Sequence, residues 1–259
     1  MGILANRHIL ITRDASQSGS LREQLERHGA VVHSVPTIKI SDPDDWSPFD
    51  RAAGDIERFD WLIFTSPNAV LYTKKRLDRL GIDLGRFPRI KIAAVGMQTG
   101  RVVESFGSRV HLIPNKFQAE ELSQKLIAEG VGRKKIWLPR ALVARNVLIE
   151  SLEKAGAEVR MTPVYQNRIP YENRELLIDT LNRHSIDWIT FTSSSTVSHF
   201  FAILGKTAAE RKLPKLASIG SITTETLHRL RLSPEFSAHP QNIEGLCQGI
   251  VDWETRHGK

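Results

Sequence analysis

Residues 64–68 read FTSPN and residues 191–195 read FTSSS. Each follows an apolar run introduced by the same dipeptide, Asp60-Trp61 or Asp187-Trp188. A second matched pair reads AVGMQT at 94–99 and SIGSIT at 218–223. Hydroxyl and amide side chains directly after a buried strand are the types that cap a following helix. A helix N-terminus also offers unpaired N–H groups to an anion. The chemistry open to Ser66, Asn68, Ser193 and Ser194, and to the turns at Gly96 and Gly220, is therefore the holding of carboxylate or phosphate groups. For any one residue, capping alone is the simpler reading. Four equivalent turns favour a ligand site shared by the two copies.

The elements that must position these turns are repeated too. Residues 7–37 laid on 134–164 give identities at Ile9/Ile136, Arg13/Arg140, Leu21/Leu148, Leu25/Leu152, Gly29/Gly156 and Pro36/Pro163. The same register continues through DW and FTS, so the chain carries two copies of one unit. HILITR predicts a strand ending at Arg13. SGSLREQLERHGA predicts a helix with a Ser cap near its start and Gly29 as its stop. VVHSVPTIKI is extended, with a break at Pro36. DWLIFTS and IKIAAVG are apolar on both faces, as strands inside a parallel sheet are. NAVLYTKKRLDRLG, TGRVVESFG and FQAEELSQKLIAEG predict helices, and VHLIP a short strand. This alternation predicts an α/β fold with parallel sheets, in which ligands bind beyond the carboxyl ends of the strands. The repeat alone would divide the chain near residue 131.

Composition narrows the function classes. The 259 residues are 41% hydrophobic and 25% charged, ordinary for a globular chain that buries a core. No apolar run approaches the roughly 20 residues that span a bilayer. The opening MGILANRHILITR lacks the features of a secretory signal. The one cysteine, Cys247, permits no internal disulfide and reads as a packed thiol, so a cytoplasmic address is expected. A net charge of +7 suits an anionic partner. The basic residues lack the aromatic interleaving of a nucleic-acid surface, and solubility alone is the plain alternative. The nine histidines show no H-x-x-x-H or H-E-x-x-H spacing, and no phosphate-loop, dinucleotide or nucleophile-elbow motif occurs. No metal and no cofactor is expected; an enzyme without cofactor and a binding protein both remain open.

The ordered set LITR…GA-x-V…P, DWLIFTSPNAV, AVGMQT, LPR…GA-x-V…PVY, DWITFTSSSTV and ASIGSITTETL resembles the uroporphyrinogen-III synthase family from about residue 7 to residue 250. The resemblance implies two similar flavodoxin-like α/β domains with parallel sheets, interleaved in the chain and joined by a two-stranded β-ladder. It places domain one at 1–36 plus 171–259, domain two at 41–163, and linker strands at 36–40 and 164–170. It implies a lyase that cyclises hydroxymethylbilane, an octacarboxylate, with inversion of ring D to give uroporphyrinogen III for tetrapyrrole and haem biosynthesis. It also implies a cofactor-independent monomer with transient contact to hydroxymethylbilane synthase and with no nucleic-acid or membrane partner.

Carried onto this sequence, the resemblance gives catalytic roles to Tyr165, Thr99 and Thr223. Tyr165 has no tyrosine opposite it in the first copy, where Ile38 stands. Arg13, Arg140 and Arg145, with Ser66, Asn68, Gly96, Ser193, Ser194 and Gly220, would bind substrate carboxylates. For Arg13 and Arg140 the alternative is an ion pair with a nearby acid; for Thr99 and Thr223 it is capping; for Tyr165 it is packing at a domain joint. Ser221-Ile222 stand where the family often has proline. The rival class is a non-catalytic two-domain α/β protein that binds or senses an anionic small molecule.

Overall fold

A computed structural model describes residues 2–13, 15–116, 118–205 and 212–258; the side chains of 15–18 lie outside that set, among them that of Ser18 near the expected first cap. The chain forms two compact units, Met1–Lys39 with Arg168–Lys259, and Ile40–Asn167. In chain order the elements are β1 (His8–Ile11), α1 (Ala15–Arg27), β2 (Val31–Ser34), β3 (Lys39–Ser41), α2 (Ser47–Gly54), β4 (Trp61–Phe64), α3 (Pro67–Arg79), β5 (Lys91–Ala94), α4 (Met97–Ser105) and α5 (Ala119–Ala128). They continue with β6 (Lys135–Ala141), α6 (Val147–Lys154), β7 (Glu158–Arg168), α7 (Arg174–Arg183), β8 (Ile186–Phe191), α8 (Ser194–Leu204), β9 (Lys215–Ser218), α9 (Ser221–Arg229), β10 (Phe236–Ser237) and α10 (Ile243–His257). Among the described residues no helix is long and apolar enough to cross a membrane.

The first unit holds the sheet β10-β9-β8-β1-β2, and the second holds β3-β7-β6-β4-β5. Neighbours from β10 to β2, and from β7 to β5, run parallel. Each sheet draws strands from both copies of the repeat: β1 and β2 sit beside β8, and β4 and β5 sit beside β6. The α/β class and its parallel sheets are as the sequence indicates. Three details differ. The VHLIP segment makes a single bridge, Ala93 to Leu112, instead of a strand. The helix α2, which the 127-residue offset sets opposite α7, shares no identical residue with it. Pro163 lies inside β7, where the register slips between Arg140 and Ala141; a bulge is where a strand tolerates a residue with no N–H to donate.

The duplicated Asp-Trp now has a cause. Asp60 Oδ2 accepts the backbone N–H of Lys135 at 2.8 Å, and its other oxygen pairs with Lys134 at 2.9 Å. In the other unit Asp187 Oδ2 accepts the N–H of His8 at 2.8 Å, and Oδ1 faces Arg7 at 3.7 Å. Each carboxylate thus fastens the amino end of one strand, β6 or β1, to its neighbour, β4 or β8. The tryptophans that follow are buried, and Trp188 donates its indole N–H to buried Glu254 at 2.9 Å. Glu254 also takes Arg7 at 2.7 Å and Lys215 at 2.8 Å. Burial opposes its ionisation, but these partners outweigh burial and hold its carboxyl below the usual range.

Burial likewise opposes ionisation of Asp60, and the Lys135 N–H with the Lys134 ammonium outweighs it, so its carboxyl sits below its ordinary value. Asp60→Ala is expected to lower stability by about 1–2 kcal/mol at neutral pH, read as a lower urea midpoint. Because the folded pKa is depressed, this contribution is present above the unfolded pKa, about 3.9, and is lost as pH falls through the folded value. The midpoints of D60A and wild type should converge in acid; a gap that persists well below that pH would contradict the clamp.

Candidate active site

In the second unit β4 leads through α3 to β5 on one side, while β6 lies on the other side of β4. The strand order reverses between β4 and β6, and such a point opens a crevice at the carboxyl ends of the two strands. A cavity of about 370 Å³ lies there, lined by Thr65, Val95, Gln118, Leu138, Arg140 and Arg145 among others. In the first unit the order reverses between β1 and β8. The repeat places Arg13 there as the counterpart of Arg140, and Ser193 as the counterpart of Ser66.

Arg140 is 4% exposed, and no acid pairs with it among the described residues. Its guanidinium donates to the carbonyls of Arg145 (2.9 Å) and Ala144 (3.1 Å) and to Asn146 Oδ1 (2.7 Å). It thereby folds the segment after β6 over itself and occupies the Asn146 side chain, which does not cap α6. Its Nε has no partner. Burial pushes the guanidinium below its ordinary pKa. A buried cation without a counter-charge is costly, and an anion in the adjoining cavity would offset that cost. The ion pair with a nearby acid, open on sequence alone, does not form among the described residues. Arg145 is exposed and contributes its carbonyl to Arg140 and its side chain to the cavity wall. Arg13 is half-buried, has no acidic partner among the described residues, and is likewise lowered by burial.

Ser66 and Ser193 do cap. Ser66 Oγ accepts the N–H of Ala69 at 3.1 Å, and Ser193 forms a capping box with Thr196. Ser66 has a second partner, the Tyr165 hydroxyl at 3.2 Å. Tyr165 is 9% exposed, and its ring lies 5.7 Å from that of Tyr72. Burial, with Asp42 and Tyr165 nearby, pushes the Tyr72 phenol up, so it stays protonated and donates to the Ile40 carbonyl at 3.3 Å. Asn68 and Ser194 are half-buried in the first turns of α3 and α8.

Thr99 and Thr223 are each 4% exposed and third in α4 and α9. The N-caps are Gly96 and Gly220, both in extended backbone, and neither helix start has a side-chain cap. Capping therefore does not occupy these two hydroxyls. Ser221 opens α9 without proline. The structure thus brings Ser66 to Tyr165 and sets Arg140 with Arg145 on one cavity. Thr99, Gly96 and Asn68 stand on the same carboxyl rim of the second unit, and Arg13, Ser193, Ser194, Gly220 and Thr223 on that of the first.

Sequence reasoning passed over Thr65 and Thr192, the middle residues of the two FTS phrases. Thr65 lines the cavity, and Thr192 Oγ1 is buried without a partner. The repeated phrase itself was the available signal. Tyr72 and Asn146 carried none. Among the described residues, the one grouping with metal-ligating spacing is His8, His33 and His184, in the first unit at the amino ends of its strands.

The profile of the family described as uroporphyrinogen-III synthase HemD matches residues 19–248. The chain belongs to the uroporphyrinogen-III synthase family. Uroporphyrinogen-III synthase of Synechococcus elongatus is 32% identical over 256 residues, covering 96% of this chain and 96% of that protein. The synthase of Chlorobaculum parvum is 25% identical over 93% of this chain and 98% of its own length. The crystal structure of the Helicobacter pylori uroporphyrinogen-III synthetase aligns at a TM-score of 0.65 with 17% identity, covering 95% of this chain and 99% of that one. A Thermus thermophilus uroporphyrinogen III synthase aligns at 0.62 with 15% identity over 96% and 99%. These two structures support the fold, and the synthase family is one of porphyrin-biosynthesis enzymes.

Two substitutions separate the roles of the cavity arginines. Arg140→Met removes three donors and should cost about 2 kcal/mol or more, with faster amide exchange across 142–146. Arg145→Ala should stay within about 0.5 kcal/mol. Equal urea midpoints for the two variants would contradict the organising role of Arg140.

Proposed function

We propose that this chain closes hydroxymethylbilane to uroporphyrinogen III with inversion of the last ring, as a cytoplasmic monomer that needs no cofactor. The observation that carries the reading is the Tyr165 hydroxyl held 3.2 Å from Ser66 at the carboxyl rim of a chain of this family. Ala69 N–H donates to Ser66 Oγ. If Ser66 O–H in turn donates to Tyr165, the phenolic proton is free for an incoming group. Each bond of such a chain strengthens the next.

The departing hydroxyl of the bilane takes that proton and leaves as water, pushed out by the electron-rich pyrrole beside it. Through its own substituted α carbon, the terminal pyrrole then attacks the methylene carbon so exposed, forming a spiro centre. The bond from that α carbon to the neighbouring methylene breaks, and that methylene rebonds at the other, free α carbon of the same ring. Loss of the proton from that second carbon, which can return to the Tyr165 phenolate, restores the pyrrole with the ring inverted. The same bilane closes unaided to the uninverted isomer. The protein's task is therefore orientation and selective stabilisation of one transition state. Carboxylates of the substrate would be received by Arg140 Nε, by Arg13, and by the uncapped N-termini behind Gly96 and Gly220. Thr99 and Thr223, unoccupied by capping, would add hydroxyl donors. Transient contact with hydroxymethylbilane synthase would shorten the time in which the free bilane closes the wrong way.

The test generates hydroxymethylbilane in situ, adds the protein, oxidises and separates the uroporphyrin isomers. Mostly isomer III is expected. Only isomer I from a folded protein would sink the reading and leave a binding or regulatory role. Tyr165→Phe should slow isomer III formation by about 100-fold, within the range for general acid catalysis, and raise the share of isomer I. A wild-type rate in that variant would remove the proton-donor role. Thr99→Val and Thr223→Val should slow turnover without lowering the urea midpoint.

A further inference from the structure

Three histidines that no sequence motif connects meet at the amino ends of three adjacent strands of the first unit. His8 opens β1, His33 lies in β2, and His184 precedes β8. The register pairs His8 with Val31, so His33, two residues on in β2, shares its face, and His184 stands two residues before Ile186, the other partner of His8. One ligand atom from each lies within 4.8 Å of the others, and His8 and His33 are half-buried. His8 Nδ1 and His33 Nε2 are 3.0 Å apart. The rings of His33 and His184 are 4.2 Å apart, and those of His8 and His184 5.9 Å.

We propose that His8, His33 and His184 bind one transition-metal ion of the zinc class through three imidazoles. Zinc–nitrogen bonds of about 2.0–2.1 Å place ligand nitrogens roughly 3.3 Å apart in a tetrahedron, a separation the His8–His33 pair nearly has and His184 reaches by a small ring rotation. A set of imidazoles with no carboxylate suits zinc, cobalt, nickel or copper and not magnesium or calcium. Three protein ligands leave a fourth position open. His184 also lines a cavity of about 310 Å³, which gives solvent access to that position.

Burial, then His184, His8 and Arg22, lowers the His33 pKa. Of these Arg22 is a cation, and it is engaged by Glu26 at 2.9 Å and by the Val32 carbonyl at 3.0 Å, while Lys212 lines the cavity beside His184. The fold does not require histidines here. The repeat aligns His8, His33 and His184 with Lys135, Arg160 and Glu57 of the second unit. There Arg160 pairs with Asp55 at 3.0 Å, and Lys135 faces Glu158 at 3.8 Å. The same place in one scaffold thus holds ion pairs in one unit and three imidazoles in the other. His8 stands at the opposite end of β1 from Arg13, so the ion would stabilise the first unit without touching the reaction.

The test uses the full chain without an affinity tag, stripped by chelator. Titration with Co²⁺ should give the visible bands of a four-coordinate ion, saturating at one equivalent, and Zn²⁺ should displace it and raise the melting temperature. Zn²⁺ should shift the imidazole resonances of these three histidines and leave the other six unmoved. His33→Ala and His184→Ala should each weaken binding by about 100-fold or more, while His199→Ala should not. The isomer assay should give the same product with and without the ion. No one-to-one binding by the wild-type chain, or binding that survives His33→Ala, would overturn the proposal. The wild-type resonances decide the matter even if a variant fails to fold.

Discussion

The carboxylate of Asp60 holds the amino end of β6 against β4, and the carboxylate of Asp187 holds β1 against β8. These are the two strand pairs at which the sheet order reverses. Between β1 and β8 the register shifts, with His8 opposite Ile186 and Ile9 opposite Trp188. Asp187 is the extra residue of that irregularity, and the irregularity turns its side chain onto the N–H of His8. Fixing the pair at the amino end fixes which residues face one another at the carboxyl end. Arg140 and Thr65 then flank one crevice, and Arg13 and Thr192 occupy the matching places in the other unit.

Charge is distributed along the strands accordingly. Acids sit at the amino ends, where they are consumed by backbone N–H groups and by Lys134 and Arg7. At the carboxyl ends stand two guanidiniums, Arg13 and Arg140, with no acidic partner among the described residues, together with helix starts that lack side-chain caps. Arg140 is held by three acceptors but has no counter-charge among the described residues, and a carboxylate ligand would supply one. Two of the cations behind the net charge of +7 thus stand where an anion can use them.

Much of this was legible because it is local. Apolar runs on both faces, hydroxyl caps after strands and the ordered repeat announce strands, turns and the parallel class. What pairs with what is not local. The repeat alone divides the chain near residue 131, whereas each sheet mixes strands of both copies. Ser66 and Tyr165 are 99 residues apart and meet only through the β4-β6-β7 order. His8, His33 and His184 sit on three different strand starts, so no spacing rule could join them. Pro163, which the repeat matches to Pro36, is absorbed within β7 by the slipped register. The helix α2 falls opposite α7 at the 127-residue offset, but the two share no identical residue there, so the duplicated pattern did not announce it.

The most direct test of the site is a titration of ¹⁵N-labelled protein with uroporphyrinogen III kept reduced. The account predicts saturable shifts at the amides of residues 66–69 and 97–99 and at the Arg140 Nε–H, with the Asp60 and Lys135 amides unmoved. Saturable binding that leaves the carboxyl rim of the second unit unshifted would contradict it.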